Sequence, residues 1–283
     1  MEVVHPQVAG IDVHKKVIWV AVRLPGQEHG QRAVTVRRFK AFWRSLQKMA
    51  GWLAELGVAD AAMESTGVYW WPVYHALAQA GIEVCVCNAA HMRNVPGRKS
   101  DMKDARWLAD LLAMGLIRSS FVPPAPIQDL RDLTRTRKQL VREIARHTQR
   151  IQKTLEDANV KLTEAISDIL GTSGRAILKA LMTGETDPER LIDLTTGRLK
   201  ASRAQLVEVL RGRVTAHHRF MITLHLTQIE ALETAVTTIE ARISDALAPF
   251  RAAVTLLTTM PGLSETAAAV TLAAIGEIGR AHV

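Results

Sequence analysis

Four carboxylates stand where a charge is costly or where two acids share a face. Asp12 interrupts an apolar run (VAGIDV, residues 8–13), and Glu64 is the first charge after another (AAM, residues 61–63). An ionised group in such surroundings has to be paired or hold a cation. Asp101 and Asp104 are three apart, so on a helix they project from one side. Strands that end at one sheet edge, with a helix packed across that edge, would bring all four together. Converging carboxylates repel unless cations neutralise them, and such oxygen ligands suit two magnesium or manganese ions. An ion pair of that kind activates a nucleophile and stabilises the leaving oxygen at a phosphodiester. Arg98, Lys99 and Lys103 surround the aspartates, as expected where a polyanion approaches. The plainer reading makes Asp101 a helix N-terminal acid and Glu64 a strand-end surface charge.

The elements that must position these acids follow from hydrophobic spacing. Strands are expected at residues 8–13, 17–24 and 32–37, with Pro25-Gly26 as a turn, so the chain opens as a β-meander. Phe42, Leu46, Met49 and Leu53 recur at helical spacing before Gly57. A strand at 59–64, a helix at 68–80 closed by Gly81, a strand at 82–87 and a helix at 101–114 complete the series. Ser100 is placed as the N-cap of that last helix and Gly115 follows it. The order β-β-β-α-β-α-β-α predicts an α/β fold with a mixed sheet covered by helices. Cys85 and Cys87 are expected on opposite faces of their strand, unable to bridge, which fits a reducing cytoplasm. Tyr69-Trp70-Trp71 reads as apolar anchorage for a helix on the sheet.

Pro123-Pro124-Ala125-Pro126 breaks the chain, and only helices are expected beyond it. Residues 127–155 and 224–247 read as long helices, with shorter ones over 173–210. Ile229, Leu232, Val236, Ile239 and Ile243 step by 3 and 4, the seam of a coiled coil, so an antiparallel stalk that supports self-association is expected. Residues 256–275 resemble a helix-hairpin-helix, whose turn amides would touch a DNA phosphate. His217-His218 has no neighbouring zinc pattern and reads as surface. The expected division is 1–122, 127–248 and 249–283.

Lysine and arginine number 36 against 28 acids, a net charge of +8, so a polyanion is the first partner to consider. Arg131, Arg135, Lys138, Arg142, Arg146, Arg150 and Lys153 step by 3 or 4 and form one helical stripe. Leu133, Leu140, Ile144, Ile151 and Leu155 mark a different face. Same-sign charges on one face repel, which favours a nucleic-acid backbone over a merely solvated surface. A hydrophobic share of 48% with 17 Gly and 10 Pro excludes a disordered or collagen-like chain. The sequence holds no stretch of 18 apolar residues and no signal-peptide pattern at its start, so a soluble cytoplasmic protein is expected.

GIDVHK (residues 10–15), MESTGVYW (63–70) and GRKSDMKDARWLADLL (97–112) closely resemble the DEDD transposases of the IS-one-ten group of bacterial insertion sequences. The resemblance runs across nearly the whole chain. It implies an N-terminal domain similar to the RuvC Holliday-junction resolvase, an RNase H-like fold, with Asp12, Glu64, Asp101 and Asp104 as its metal-binding catalytic acids. It also implies DNA transposition directed by a structured guide RNA that pairs with donor and target DNA. Residues 127–248 look like the family's coiled coil, and 249–283 like the start of its C-terminal transposase domain. The family's catalytic serine matches none of Ser65, Ser100 and Ser264, and is expected beyond the end of this chain. Residues 278–283 (IGRAHV) can be encoded by ATC GGA AGA GCA CAC GTC, which resembles a sequencing adapter, so the natural protein is expected to diverge there.

Actin-like ATPases and sugar kinases also carry an Asp after their first strand, but Val13-His14-Lys15 offers no glycine for close approach to a phosphate. A non-catalytic nucleic-acid-binding or oligomerisation module is the alternative, in which the helical half carries the function.

Overall fold

Two β-rich runs on either side of His14-Lys15-Lys16 fold back on each other as an antiparallel hairpin. The computed structural model describes residues 4–25, 32–65, 67–88, 101–196 and 202–276, leaving aside the side chains of Arg32 and of residues 101–103. In it β1 (Val8–Val13) pairs with β2 (Val17–Pro25), and the His14 amide donates to the Val17 carbonyl at 3.0 Å to close the turn. β3 (Arg32–Lys40) adds antiparallel to β2. β4 (Asp60–Glu64) lies parallel to β1, and β5 (Glu83–Cys87) parallel to β4. The result is the mixed sheet expected from the sequence, in the order β3-β2-β1-β4-β5.

Helices cover both faces of this sheet. On one, α1 (Trp43–Glu55) presents Leu46, Met49, Ala50 and Leu53 at 3,1,3 spacing, and α2 (Trp70–Gln79) presents Trp70, Val73, Ala76 and Leu77. These close over Ala9, Ile11, Val13, Val20 and Met63. Gly57, at φ +70, lets the chain leave α1 with the Val58 amide bonded back to the Leu53 carbonyl at 3.1 Å. Trp70 and Trp71 pack on this core, whereas Tyr69 is exposed. On the other face α3 (Asp101–Ala113) lays down Ala105, Leu108, Ala109 and Leu112.

Cys85 and Cys87 depart from the expectation. They are two apart on β5, and a strand repeats its orientation every second residue, so they share one face, the one α3 covers. Both are free thiols.

The chain divides into two compact units, Met1–Val122 and Pro123–Val283. Every described element of the second is helical. α4 (Ala125–Asp157) is followed by α5 (Leu162–Ala165), α6 (Thr172–Thr183), α7 (Pro188–Asp193) and α8 (Arg203–Leu210). α9 (Ala216–Ala246), a single 3-10 turn, α10 (Arg251–Thr258) and α11 (Glu265–Ile275) complete it. Arg137 reaches Glu240, His147 reaches His225 and Asp157 reaches His218, so α4 and α9 run antiparallel. His218 is therefore buried against an acid rather than on the surface, as its sequence context suggested.

The seam expected in α9 is buried only at its ends. Ile229 joins a core built with α5, α6, α7 and α8, and Ile243 joins another built with α10 and α11. Leu232, Val236 and Ile239 are half-buried, because between those two cores the helix pair has no third layer over it. No described helix is long and apolar enough to cross a membrane.

The His147 and His225 rings meet with Nδ1 atoms 3.2 Å apart. Burial first, then the charges of His147 and Arg150, hold the His225 pKa below its usual 6.5. The unfolded chain therefore binds a proton here more readily than the folded one, so this contribution to stability is present above pH 6.5 and is lost as pH falls below it. Thermal melts between pH 7.5 and 5 should show the loss, and His225→Leu should flatten it. An unchanged pH profile in that variant would exclude the pair as its source.

Candidate metal-binding edge of the sheet

Strand register carries Asp12 and Glu64 to one side of the sheet. Gly10 pairs with Ala62 and Ile11 with Met63. Side chains alternate along each strand, so Gly10 and Asp12 share a face with Ala62 and Glu64, at the C-terminal ends of two parallel neighbours. Glu64 in turn lies beside Cys87. Both acids are partly buried, Asp12 with 13% of its side chain exposed.

Glycine at position 10 permits the contact that brings α3 to them. A Cβ there would lie 2.0 Å from the Ala105 carbonyl oxygen and 2.4 Å from the Ala109 amide nitrogen, both backbone atoms. The helix direction is fixed at its other end. The Val4 amide donates to the Ala113 carbonyl at 2.9 Å, and Arg23, which sits opposite Val8, donates to Asp110 at 2.6 Å. Arg23 is 2% exposed, so this pair clamps a buried charge under α3. α3 thus runs antiparallel to β1, and its first turns overlie the strand ends. Asp104, next to Ala105, is half-buried there. Asp101 begins the same helix one turn earlier; its side chain and that of Lys103 lie outside the described residues, as do Arg98, Lys99 and Ser100.

The three described acids are hard oxygen donors at one edge of one sheet face, a chemistry that fits magnesium or manganese. Among the described residues, no group of three or more His, Cys, Asp or Glu side chains is close enough to hold one ion. That set lacks the Asp101 side chain.

His14 was not singled out from the sequence. Its Nε2 lies 3.0 Å from Asp12 Oδ2, and the signal for it is the i, i+2 spacing where β1 enters the hairpin. The neighbouring thiols split. A hydrogen bond from Cys87 brings Cys85 down to about 7 against the opposing effect of burial, helped by Ser119. The same bond, burial and the charges of Cys85 and Glu64 push Cys87 up.

In the second unit Arg135, Lys138, Arg142, Arg146, Arg150 and Lys153 are exposed along α4. Arg131 is diverted from this stripe. It is half-buried and donates to the carbonyls of Ala273 and Ala274 at 2.8 and 3.0 Å, capping the last turn of α11. Burial, then the charge of Arg135, lowers its pKa. Arg146 pairs with Glu143, and Arg137 with Glu240 at 2.6 Å.

A mixed sheet carrying acids at one strand edge, followed by a helical unit with a cationic ridge, is an arrangement suited to phosphodiester chemistry on a long polyanion. Residues 9–160 match the family model DEDD_Tnp_IS110, described as a transposase, and the chain belongs to that IS110 transposase family. No curated protein matches it. Among solved structures the chain is similar to RuvC of Thermus thermophilus at 14% identity and a TM-score of 0.31, over 40% of this chain and 99% of that one. It is likewise similar to T. thermophilus RuvC in complex with a Holliday junction substrate, at 14% identity and a TM-score of 0.32, over 41% and 100% of the two chains.

Proposed function

We propose that this transposase-family chain cleaves and transfers DNA strands to move an insertion sequence, with Asp12, Glu64, Asp101 and Asp104 holding two magnesium or manganese ions. Residues 1–122 form the catalytic, RNase H-like unit, 127–248 a helical coiled-coil region through which copies associate, and 249–283 belongs to a C-terminal transposase domain. The observation that carries this reading is the Gly10–Ala105 contact, which sets the aspartate-bearing end of α3 over the ends of β1 and β4. When bound, the ions supply an activated nucleophile and charge neutralisation at the leaving oxygen.

The chain's own residues do the positioning. β1 and β4 hold Asp12 and Glu64 on rigid, hydrogen-bonded backbone, while Gly10 fixes the depth of α3. His14 holds Asp12 Oδ2 and so orients the carboxylate. His14→Ala should weaken Mn2+ affinity about tenfold, the usual cost of losing a partner of a metal ligand. A titration of the variant that matched the wild type would deny His14 this role.

Arg98, Lys99 and Lys103 receive the scissile DNA strand, and Arg135, Lys138, Arg142, Arg146, Arg150 and Lys153 belong to a wider surface for DNA or a guide RNA, from which Arg131 is withdrawn by its bonds to α11. The setting is the cytoplasm, where bacterial DNA is accessible. The direct test is cleavage of DNA carrying the element's ends. Cleavage should cease in EDTA and return with Mg2+ or Mn2+; cleavage that persists in EDTA contradicts the reading.

A further inference from the structure

The second unit contains a cavity of about 1000 Å³ between α4, the last turns of α9 and the first turns of α11. One wall is cationic. Arg135, Lys138 and Arg142 line it from a single helix face, over about 10 Å of axial rise. Among the described residues none of these three is in an ion pair, whereas Arg137 beside them is neutralised by Glu240. Glu265, in the first turn of α11, stands on the far side and directs an anion towards α4.

The floor is apolar. Ile243 and Leu247 are buried beneath it, while Val141 on α4 and Val270 on α11 remain 42% and 49% exposed. A cationic wall selects a polyanion. An aliphatic floor adds nothing for a duplex, whose bases are stacked inside, but it offers a surface on which an unpaired base can bury its face.

We propose that this groove binds an unpaired nucleic-acid strand, with successive phosphates on Arg135, Lys138 and Arg142 and a base against Val141 and Val270. The proposal rests on the nucleic-acid reading above and narrows it to one groove and one form of the polymer. It gives separate tasks to residues of one cavity: the cations hold backbone, and the valines prefer a strand with bases.

Fluorescence anisotropy of the full chain tests it with three labelled probes of equal length: a single strand, the same strand built of abasic units, and a duplex. The wild type should bind the base-bearing strand most tightly. Lys138→Glu with Arg142→Glu should weaken that strand about tenfold and lower the slope of log affinity against log salt by about 1.4, two phosphate contacts' worth. Val141→Asn with Val270→Asn, at exposed positions that leave folding intact by thermal melt, should weaken the base-bearing strand about fivefold and leave the abasic strand unchanged. Wild-type affinity in both variants, equal binding of base-bearing and abasic strands, or a preference for duplex lost in the charge variant would each overturn the groove. So would an acidic helical peptide that bound there more tightly than the strand. A wild-type chain that bound no nucleic acid would instead sink the transposase reading itself.

Discussion

Gly10→Ala should unseat α3 and, with it, abolish the proposed strand cleavage. The added methyl would stand 2.0 Å from the Ala105 carbonyl oxygen and 2.4 Å from the Ala109 nitrogen. Both are main-chain atoms within a hydrogen-bonded helix, so no side-chain rotation relieves the overlap, and α3 as a whole must move off the sheet. Overpacking against backbone costs about 3 kcal/mol. For a protein of this size that is a fall in Tm of about 10 °C. Displacing α3 also carries Asp104 and Asp101 away from Asp12 and Glu64, so activity falls further than stability does. Gly51 supplies the comparison, because a Cβ there meets nothing within 4 Å. Gly51→Ala lies inside α1 and should stabilise by about 0.5–1 kcal/mol. Melting curves and cleavage rates of the two variants read out the contrast; a Gly10→Ala protein with wild-type Tm and rate would show that α3 does not depend on this contact.

Asp12→Asn has the opposite signature: a large loss of activity with no loss of stability. The substitution preserves shape and keeps an oxygen that can accept from His14, while it removes one negative charge from the edge that also carries Glu64 and Asp104. Tm should stay level or rise slightly, the pattern of a site whose geometry is held at the expense of stability. Strand cleavage should fall about 10³-fold, because the variant would hold less firmly an ion that would stabilise the transition state's charge. Glu64→Gln should behave alike. Cleavage within a few-fold of wild type in either variant would favour a nucleic-acid-binding module over an enzyme.

The sheet was legible because its strands are written in local pattern. Short apolar runs over residues 8–13 and 17–24, and turn chemistry at Gly57 and Gly81, specify elements without reference to distant chain. The strand-end position of Asp12 and Glu64 was legible for the same reason, since Asp12 is the charge near the end of one apolar run and Glu64 the first charge after another. What the sequence withheld concerns partners. The stripe on α4 is visible in its spacing, but nothing in that spacing says that Arg131 is spent on carbonyls 142 and 143 residues away. His218 lacks a metal pattern and so reads as surface, until Asp157, 61 residues earlier, is found against it at 2.9 Å. The α9 seam has heptad-like spacing throughout, yet burial depends on what packs over it. Layers exist at both ends and not over Leu232, Val236 and Ile239. Cys85 and Cys87 were placed on opposite faces against the strand's own period, which at a separation of two returns a side chain to the same face.

Metal binding by the carboxylate edge is measured most directly by titrating Mn2+ into the full chain by isothermal calorimetry, alongside the Asp12→Asn/Glu64→Gln double variant at matched fold stability. Saturable binding is expected in the wild type, with a loss of at least about 100-fold in affinity in the double variant. Equal affinity in the two proteins would contradict it.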